Sequence, residues 1–100
     1  MSLPKFNVAV VGATGAVGEV LLEVLADRQF PIENIYPLAS AESSKSHVMF
    51  GGLKKPVIDV ETFNFSNVAY AFFVASNEVA WLYAPLAVEQ GCVVVDNSSQ

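Results

Sequence analysis

A glycine-rich turn between a buried apolar segment and an amphipathic segment constrains the fold of this chain more than any other feature. Residues 12–18 read Gly-Ala-Thr-Gly-Ala-Val-Gly and directly follow the β-rich run Phe6–Val11. An amphipathic helix is predicted next, from about Ala16 to Arg28. A strand, a glycine turn and a helix in this order are typical of the first step of a parallel α/β sheet. There the turn can present helix N-terminal amides to a phosphate group.

The glycines of this turn each have a predicted role. Gly12 permits the tight turn, Gly15 lets the backbone approach the phosphates, and Gly18 lets the helix pack closely. Thr14 can add a hydroxyl donor. A nucleoside triphosphatase loop would end in Gly-Lys-Ser or Gly-Lys-Thr, whereas Glu19 follows the last glycine here. The turn therefore predicts a dinucleotide site and argues against a triphosphatase.

The helix that follows the turn shows a clear separation of apolar and charged residues. Its charged residues, Glu19, Glu23, Asp27 and Arg28, fall largely on one side. The apolar residues at helical spacing predict the face that packs on the sheet. They are Val17, Val20, Leu21, Val24 and Leu25.

The rest of the chain predicts a Rossmann-like α/β fold: a doubly wound, mostly parallel sheet with helices on both faces and a small hairpin insertion. Phe6–Val11 is apolar enough to be its central strand, and residues 60–65 fit either a short helix or a loop. The further predicted strands are Ile35–Ala39, near an edge, Ala69–Val74 and Cys92–Val95. A hairpin is predicted from Val48 to Val57 around Gly51-Gly52. A second helix should be capped by Asn77, kinked by Pro85 and ended by Gly91.

Composition narrows the function classes for a single domain over residues 1–100. Apolar residues make up 53% of the chain and charged residues 15%, which predicts a folded domain. A formal net charge of −5 argues against nucleic acid as a partner. No run is long enough to cross a membrane and no signal peptide is evident, so we expect a cytoplasmic protein. The single cysteine, Cys92, opens an apolar strand and is predicted to be a buried structural thiol.

The choice between NAD and NADP should depend on residues that follow the second strand. A carboxylate there accepts hydrogen bonds from a free ribose 2′-hydroxyl, whereas basic and hydroxyl groups can hold a 2′-phosphate. The candidates are Ser40, Glu42, Ser43 and Lys45. Glu42 favours NAD, and Lys45 with the serines favours NADP, so the residues alone leave both cofactors open.

Several segments together resemble the aspartate-semialdehyde dehydrogenase family, and the resemblance covers nearly the whole chain. It implies NADPH-dependent reduction of β-aspartyl phosphate to aspartate semialdehyde through a cysteine thioester, on the route to lysine, threonine and methionine. It also implies a homodimer in the full-length protein. The segments are Val8–Gly18, Gln29–Pro31, Tyr36–Ser40, Phe50–Gly52, Ala84–Ala87 and Gly91–Ser99.

The same resemblance implies which residues contact the cofactor and where the catalytic residues lie. In the family a phosphate-binding arginine, the nucleophilic cysteine and a histidine base all follow the position of Gln100, and neither Cys92 nor His47 matches them. We therefore expect a piece of a longer protein that binds dinucleotide, and binds its substrate only when full length, but is inactive alone. The implied contacts are Thr14, Gly15, Ala16 and Val17 with the pyrophosphate, Ser40, Glu42 and Ser43 with the adenosine ribose, and Ala75, Asn97 and Ser98 near the nicotinamide.

Two departures from the family pattern favour alternatives. Glu42 stands where NADP-using members usually carry arginine, and residues 75–78, Ala-Ser-Asn-Glu, replace a Ser-Ala-Gly-Gly-like turn. The first alternative is a non-catalytic NAD(P)-binding paralogue or regulatory module, similar to bacterial paralogues that lack the catalytic cysteine. A separate alternative, which rests on a similar glycine loop and not on these departures, is another acyl-phosphate reductase, of the N-acetyl-glutamyl-phosphate type.

Overall fold

The described part of the chain contains seven strands, two α-helices and two short 3-10 turns. The computed structural model describes residues 5–40, 45–74 and 77–96. The strands are β1 (Phe6–Val11), β2 (Ile32–Ala39), β3 (His47–Phe50), β4 (Leu53–Pro56), β5 (Ile58–Asp59), β6 (Tyr70–Phe73) and β7 (Val93–Asp96); the helices are α1 (Ala16–Asp27) and α2 (Asn77–Glu89); the 3-10 turns cover Val60–Thr62 and Phe65–Asn67.

Five of the strands form one parallel sheet in the order β5-β2-β1-β6-β7. β1 is central, and its last four residues, Val8 to Val11, are fully buried. The β1-α1-β2 unit extends the sheet to one side of β1, and the β6-α2-β7 unit extends it to the other side. This arrangement confirms the predicted doubly wound Rossmann-like fold, with β2 next to the edge.

The two faces of the sheet carry separate hydrophobic clusters. Val8 and Val10 pack with Leu22 and Leu25 of α1, whereas alternate residues of β1 pack in the second cluster with Ala87 of α2. Since successive side chains of a strand point to opposite faces, the helices lie on opposite faces of the sheet. The prediction of helices on both faces is therefore confirmed.

The rotation of α1 differs from the predicted one. The structure buries Gly18, Leu22 and Leu25, which lie at helical spacing on one face. Of the five residues predicted to pack on the sheet, only Leu25 is buried, and Leu21 is half-buried. The other three, Val17, Val20 and Val24, are exposed. The predicted apolar face was therefore rotated away from the one that packs on the sheet. The charged residues are exposed as predicted.

Both helices end in the same hydrogen-bonded arrangement, the Schellman motif. In α2, Cys92 N donates to Ala87 O at 2.9 Å and Gly91 N to Val88 O at 3.0 Å, with Gly91 at φ +99°. The predicted stop at Gly91 is confirmed. In α1 the corresponding residue with positive φ is Gln29, at +55°.

The central part of the chain forms the predicted hairpin and one strand that the sequence pattern did not indicate. Gly51 and Gly52, both with positive φ, connect the antiparallel strands β3 and β4. The following strand, β5, pairs with only the last two residues of β2. Residues 60–65, left open between helix and loop, contain the first 3-10 turn, and the second begins at Phe65.

Candidate dinucleotide site

The glycine turn lies at the carboxyl edge of the sheet, where two neighbouring strands end beside it. The amides of Gly12 and Ala13 both donate to Leu38 O, at 2.8 and 3.1 Å, and connect the turn to the end of β2. On the other side Val74 N, just after β6, donates to Val11 O at 2.9 Å. The turn therefore occupies the point where the strand order reverses direction, which is where open α/β sheets bind ligands.

The N-terminus of α1 begins at a glycine that provides no side-chain cap. Gly15 is the N-cap residue, with extended backbone angles, and makes no side-chain cap hydrogen bond to the first turn. Gly15, Ala16 and Val17 are exposed, and Thr14 is half-buried beside them. Because the first amides of a helix have no partner within the helix, they can donate to an anion placed at this end.

Two glycines of the turn have different steric surroundings. A Cβ atom on Gly18 would overlap Gly12 O and lie 2.8 Å from the Cα of Ala13, so no side chain fits there. A Cβ atom on Gly15 would have one neighbour within 4 Å, Gly12 O at 3.6 Å. Gly18 is therefore required for packing, as predicted. At Gly15 the fold itself leaves space for a methyl group, and the missing side chain leaves the amides accessible.

Charge contributes little to this site in the described residues. Residues 12–18 contain no basic side chain, and the first turn of α1 instead carries the exposed Glu19. An anion bound here would therefore depend on backbone dipoles and amide hydrogen bonds. Such a site suits a phosphate that is already part of a larger ligand, because base and ribose contacts can add affinity.

Comparison with known proteins assigns this geometry to a family. The family model described as semialdehyde dehydrogenase, NAD binding domain, matches residues 7–100. The chain belongs to the semialdehyde dehydrogenase family. It forms the NAD-binding domain of that family, and the resemblance seen in the sequence is confirmed.

Relatives within the semialdehyde dehydrogenase family are similar along nearly the whole chain. An aspartate-semialdehyde dehydrogenase from Legionella pneumophila is 54% identical over 93 residues, which are 93% of this chain and 27% of the relative. A protein from Pseudomonas aeruginosa named USG-1 protein homolog is 48% identical over 98% of this chain and 29% of its own length. A crystal structure of aspartate-semialdehyde dehydrogenase II from Vibrio cholerae superposes with a TM-score of 0.91 at 47% identity, covering 96% of this chain and 31% of that one. The chain thus spans less than a third of these relatives.

The structure brings together part of the cofactor site expected for a semialdehyde dehydrogenase. Gly12 and Thr14 are half-buried in the turn, and Gly15, Ala16 and Val17 are exposed directly after them. Ser40 is exposed directly after β2, two residues beyond the carbonyl that holds the turn. The other predicted contacts, Glu42, Ser43, Ala75, Asn97 and Ser98, lie outside the described residues.

Sequence reasoning missed two residues that shape the family's glycine turn. Ala13 is fully buried, and its backbone is the surface against which Gly18 packs. Leu38, also fully buried, provides the carbonyl that holds two amides of the turn. A small residue after the first glycine was the available signal for Ala13. Nothing in the local pattern marks the carbonyl of Leu38.

Cys92 and His47, whose side chains could act as a nucleophile or a base, are not part of the glycine turn of this semialdehyde dehydrogenase domain. Cys92 is buried, as predicted, and its Sγ lies 3.2 Å from both Phe65 O and Val68 O. Burial raises the pKa of the Cys92 thiol, which opposes formation of a nucleophilic thiolate. His47 is exposed at the start of β3. Within the described ranges no group of three or more His, Cys, Asp or Glu side chains could hold a metal ion. Neither helix in these ranges is long and apolar enough to cross a membrane.

Proposed function

We propose that this chain binds the dinucleotide of an aspartate-semialdehyde dehydrogenase, which reduces β-aspartyl phosphate to aspartate semialdehyde in amino-acid biosynthesis. The observation that carries the proposal is the accessible N-terminus of α1 beside a glycine turn at the switch point of the sheet. The relatives named as this dehydrogenase support it. The catalytic residues would come from the part of the protein outside these 100 residues, in a cytoplasmic homodimer.

The residues of the turn would have separate tasks toward the cofactor. The amides at the start of α1 would donate to the pyrophosphate, with Gly15 allowing close approach and the Thr14 hydroxyl adding a donor. When bound, the nicotinamide supplies the hydride. This chain's residues would bind and orient the dinucleotide at the carboxyl edge of the sheet.

We propose NADP as the preferred cofactor. Ser40 is exposed at the end of β2, and Lys45 is exposed a few residues later. Hydroxyl and ammonium groups can hold a 2′-phosphate, whereas Glu42 in the same connection would favour the free hydroxyl of NAD. The preference for NADP over NAD therefore depends on whether the Lys45 ammonium group or the Glu42 carboxylate contacts the ribose.

Calorimetric titration of the chain with NADP⁺ and with NAD⁺, separately, tests the proposal without requiring catalysis. We expect one equivalent of NADP⁺ to bind, and Gly15→Ala to weaken binding by about tenfold or more because the added methyl group obstructs the phosphates. The exposed Val88 of α2, changed to Ala, is the matched control and should bind as the original chain does. Unchanged affinity in Gly15→Ala would show that these amides do not hold the phosphates. Tighter binding of NAD⁺ would reverse the cofactor assignment.

A second candidate function is a non-catalytic NAD(P)-binding paralogue. It is favoured by a relative that is not named as a dehydrogenase, the USG-1 protein homolog, which is as similar to this chain as several of the dehydrogenases are. Assays of the complete protein with aspartate semialdehyde, phosphate and NADP⁺ would separate the two. Turnover supports the dehydrogenase, whereas dinucleotide binding without turnover supports the paralogue. Reduction of N-acetyl-glutamyl phosphate, assayed in parallel, would instead indicate an acyl-phosphate reductase of the N-acetyl-glutamyl-phosphate type.

A further inference from the structure

The side of α2 that faces away from the sheet is apolar, and no element in the described part of the chain covers it. Ala87 is fully buried under the helix, and Tyr83 and Ala84 are half-buried against the same core cluster. The side chains on the opposite side of the helix are exposed. We call this surface the α2 outer face. It consists of Trp81, Leu82, Pro85, Leu86 and Val88.

The α2 outer face is large for an exposed apolar surface. Trp81, the only tryptophan of the chain, is 81% exposed, and Leu82 is 69% exposed. Trp81 alone presents roughly 200 Å², within the range of an aromatic side chain, and the five residues together present roughly 500 Å². Patches of this size are among the largest that folded monomers expose, and they are often functional.

We propose that the α2 outer face binds the same face of a second copy of this chain, with the two α2 helices antiparallel about a twofold axis. In such a contact residue i of one copy meets residue j of the other, and j meets i. An axis at Pro85 relates positions that lie equally far on either side of it along the helix. Leu82 therefore lies opposite Val88 of the second copy, and Trp81 lies opposite Glu89 of the second copy.

Glu89 favours the antiparallel pair over a parallel one. It is exposed on the outward side of α2, and it is the one charged residue between positions 81 and 89. A carboxylate that loses water is costly unless a donor pairs with it, and a buried indole N–H needs an acceptor. Antiparallel helices bring Glu89 to the indole of Trp81 from the other copy. A parallel pair would place the two Glu89 carboxylates beside each other.

The charge distribution allows two copies to meet through α2 although each carries a formal net charge of −5. The acidic residues of α1, Glu19, Glu23 and Asp27, lie on the opposite face of the sheet from α2. The sheet and both helices separate these carboxylates from the contact by more than the Debye length of about 8 Å at physiological salt. Salt therefore screens most of their repulsion across the proposed contact.

The buried area sets the expected strength of this contact. Two α2 outer faces together bury roughly 1,000 Å², which is the lower limit for a specific interface. A weak dimer is therefore expected, with a Kd of about 10–100 µM.

Sedimentation velocity of the chain over about a hundredfold range of concentration around that Kd tests the proposal. Trp81→Lys and Leu82→Lys place a charge in the contact, and Leu53→Lys, at a hairpin leucine that is 62% exposed, is the matched control. We expect each α2 variant to weaken dimerisation by about thirtyfold or more, because both copies carry the change, and the control to dimerise as the original chain does. All three positions are exposed in the single chain, so the variants should fold.

Trp81 fluorescence provides a second readout, because no other tryptophan contributes to it. As the concentration rises through the Kd, the emission should shift to shorter wavelength in the original chain and in Leu53→Lys. Leu82→Lys, which retains the tryptophan, should show no shift. Both measurements are made without dinucleotide, so their outcome is independent of the proposed function.

Several results would overturn the proposal. One is a chain that stays monomeric throughout the range, and another is a dimer that survives Trp81→Lys and Leu82→Lys. Association that continues past the dimer would exclude a closed twofold contact. A shift of Trp81 emission when phosphatidylcholine vesicles are added to the monomer would assign the face to a lipid surface. In the complete protein, a Tm loss of roughly 4 °C or more in Leu82→Lys, independent of protein concentration, would show that the rest of the polypeptide covers α2.

Discussion

Gly18, in the first turn of α1, packs against the carbonyl oxygen of Gly12 so closely that no Cβ atom fits between them. The obstacle is backbone on both sides, because the Cα and C atoms of Ala13 are also within 2.9 Å of the Cβ position. A side chain here would separate the helix from the turn. This contact couples the stability of the domain to the geometry of the candidate site.

Gly18→Ala should therefore destabilise the chain by roughly 3 kcal/mol, the upper part of the usual range for overpacking, because backbone cannot move aside as a side chain can. Urea denaturation measures the change. Gly15→Ala is the matched control and should cost only about 0.5–1 kcal/mol, from the loss of a favoured N-cap residue, since its Cβ meets only one atom, at 3.6 Å. Equal stabilities for the two variants would contradict the close contact.

Gln29→Gly should stabilise the chain by about 1 kcal/mol. Gln29 has φ +55° at the end of α1, a conformation that costs residues with a side chain about 1–2 kcal/mol relative to glycine. Gln29→Ala keeps that cost and serves as the control, with little change expected in the urea midpoint. A gain in both variants would show that the glutamine side chain, and not its backbone, is unfavourable.

Gln90 connects the end of α2 to the second 3-10 turn, and its loss should cost about 1–2 kcal/mol. Its Oε1 accepts a hydrogen bond from Phe65 N at 2.8 Å in a partly buried position. Gln90→Met would leave that amide without its acceptor, whereas Gln90→Glu retains an oxygen and should cost less. Hydrogen exchange at the Phe65 amide provides the local readout. Exchange that is equally slow in Gln90→Met would exclude this bond as the source of protection.

The rotation of α1 shows where the sequence pattern was insufficient. The helix has two adjacent apolar stripes, and periodicity alone selected the one containing Val17, Val20 and Val24. The contact of Gly18 with the turn decides between them, because Leu22 and Leu25 lie four and seven residues later on the same side. The glycine spacing and the helical periodicity together would have predicted the correct face.

Other parts of the fold were predicted because the signals are local. The Gly51-Gly52 hairpin and the stop at Gly91 depend on positive φ, which glycine adopts readily. β5 was missed because a strand of two residues is too short to show an alternating apolar and polar pattern. It forms only where β2 offers unpaired backbone groups. The turn in the candidate site followed from residue spacing, whereas the carbonyl of Leu38 that holds it belongs to a different strand and depends on the tertiary fold.

The last prediction concerns the dependence of stability on pH. Burial raises the pKa of the Cys92 thiol above its ordinary value of 9.0, so the folded chain retains the proton to a higher pH than the unfolded chain does. The stabilisation is fully present below pH 9 and is lost as the pH rises through the folded pKa, by at most about 1.4 kcal/mol per pH unit for one group. Burial also raises the pKa of Tyr83, and the charges of Glu61 and Asp59 add to the effect. The Tyr83 hydroxyl therefore affects the pH dependence of stability only above its ordinary pKa of 10.0. We therefore expect the free energy of unfolding, measured with reductant between pH 7 and 10, to fall less in Cys92→Ala than in the original chain. Tyr83→Phe should reproduce the original slope up to pH 10, and identical slopes in all three proteins would contradict the raised thiol pKa.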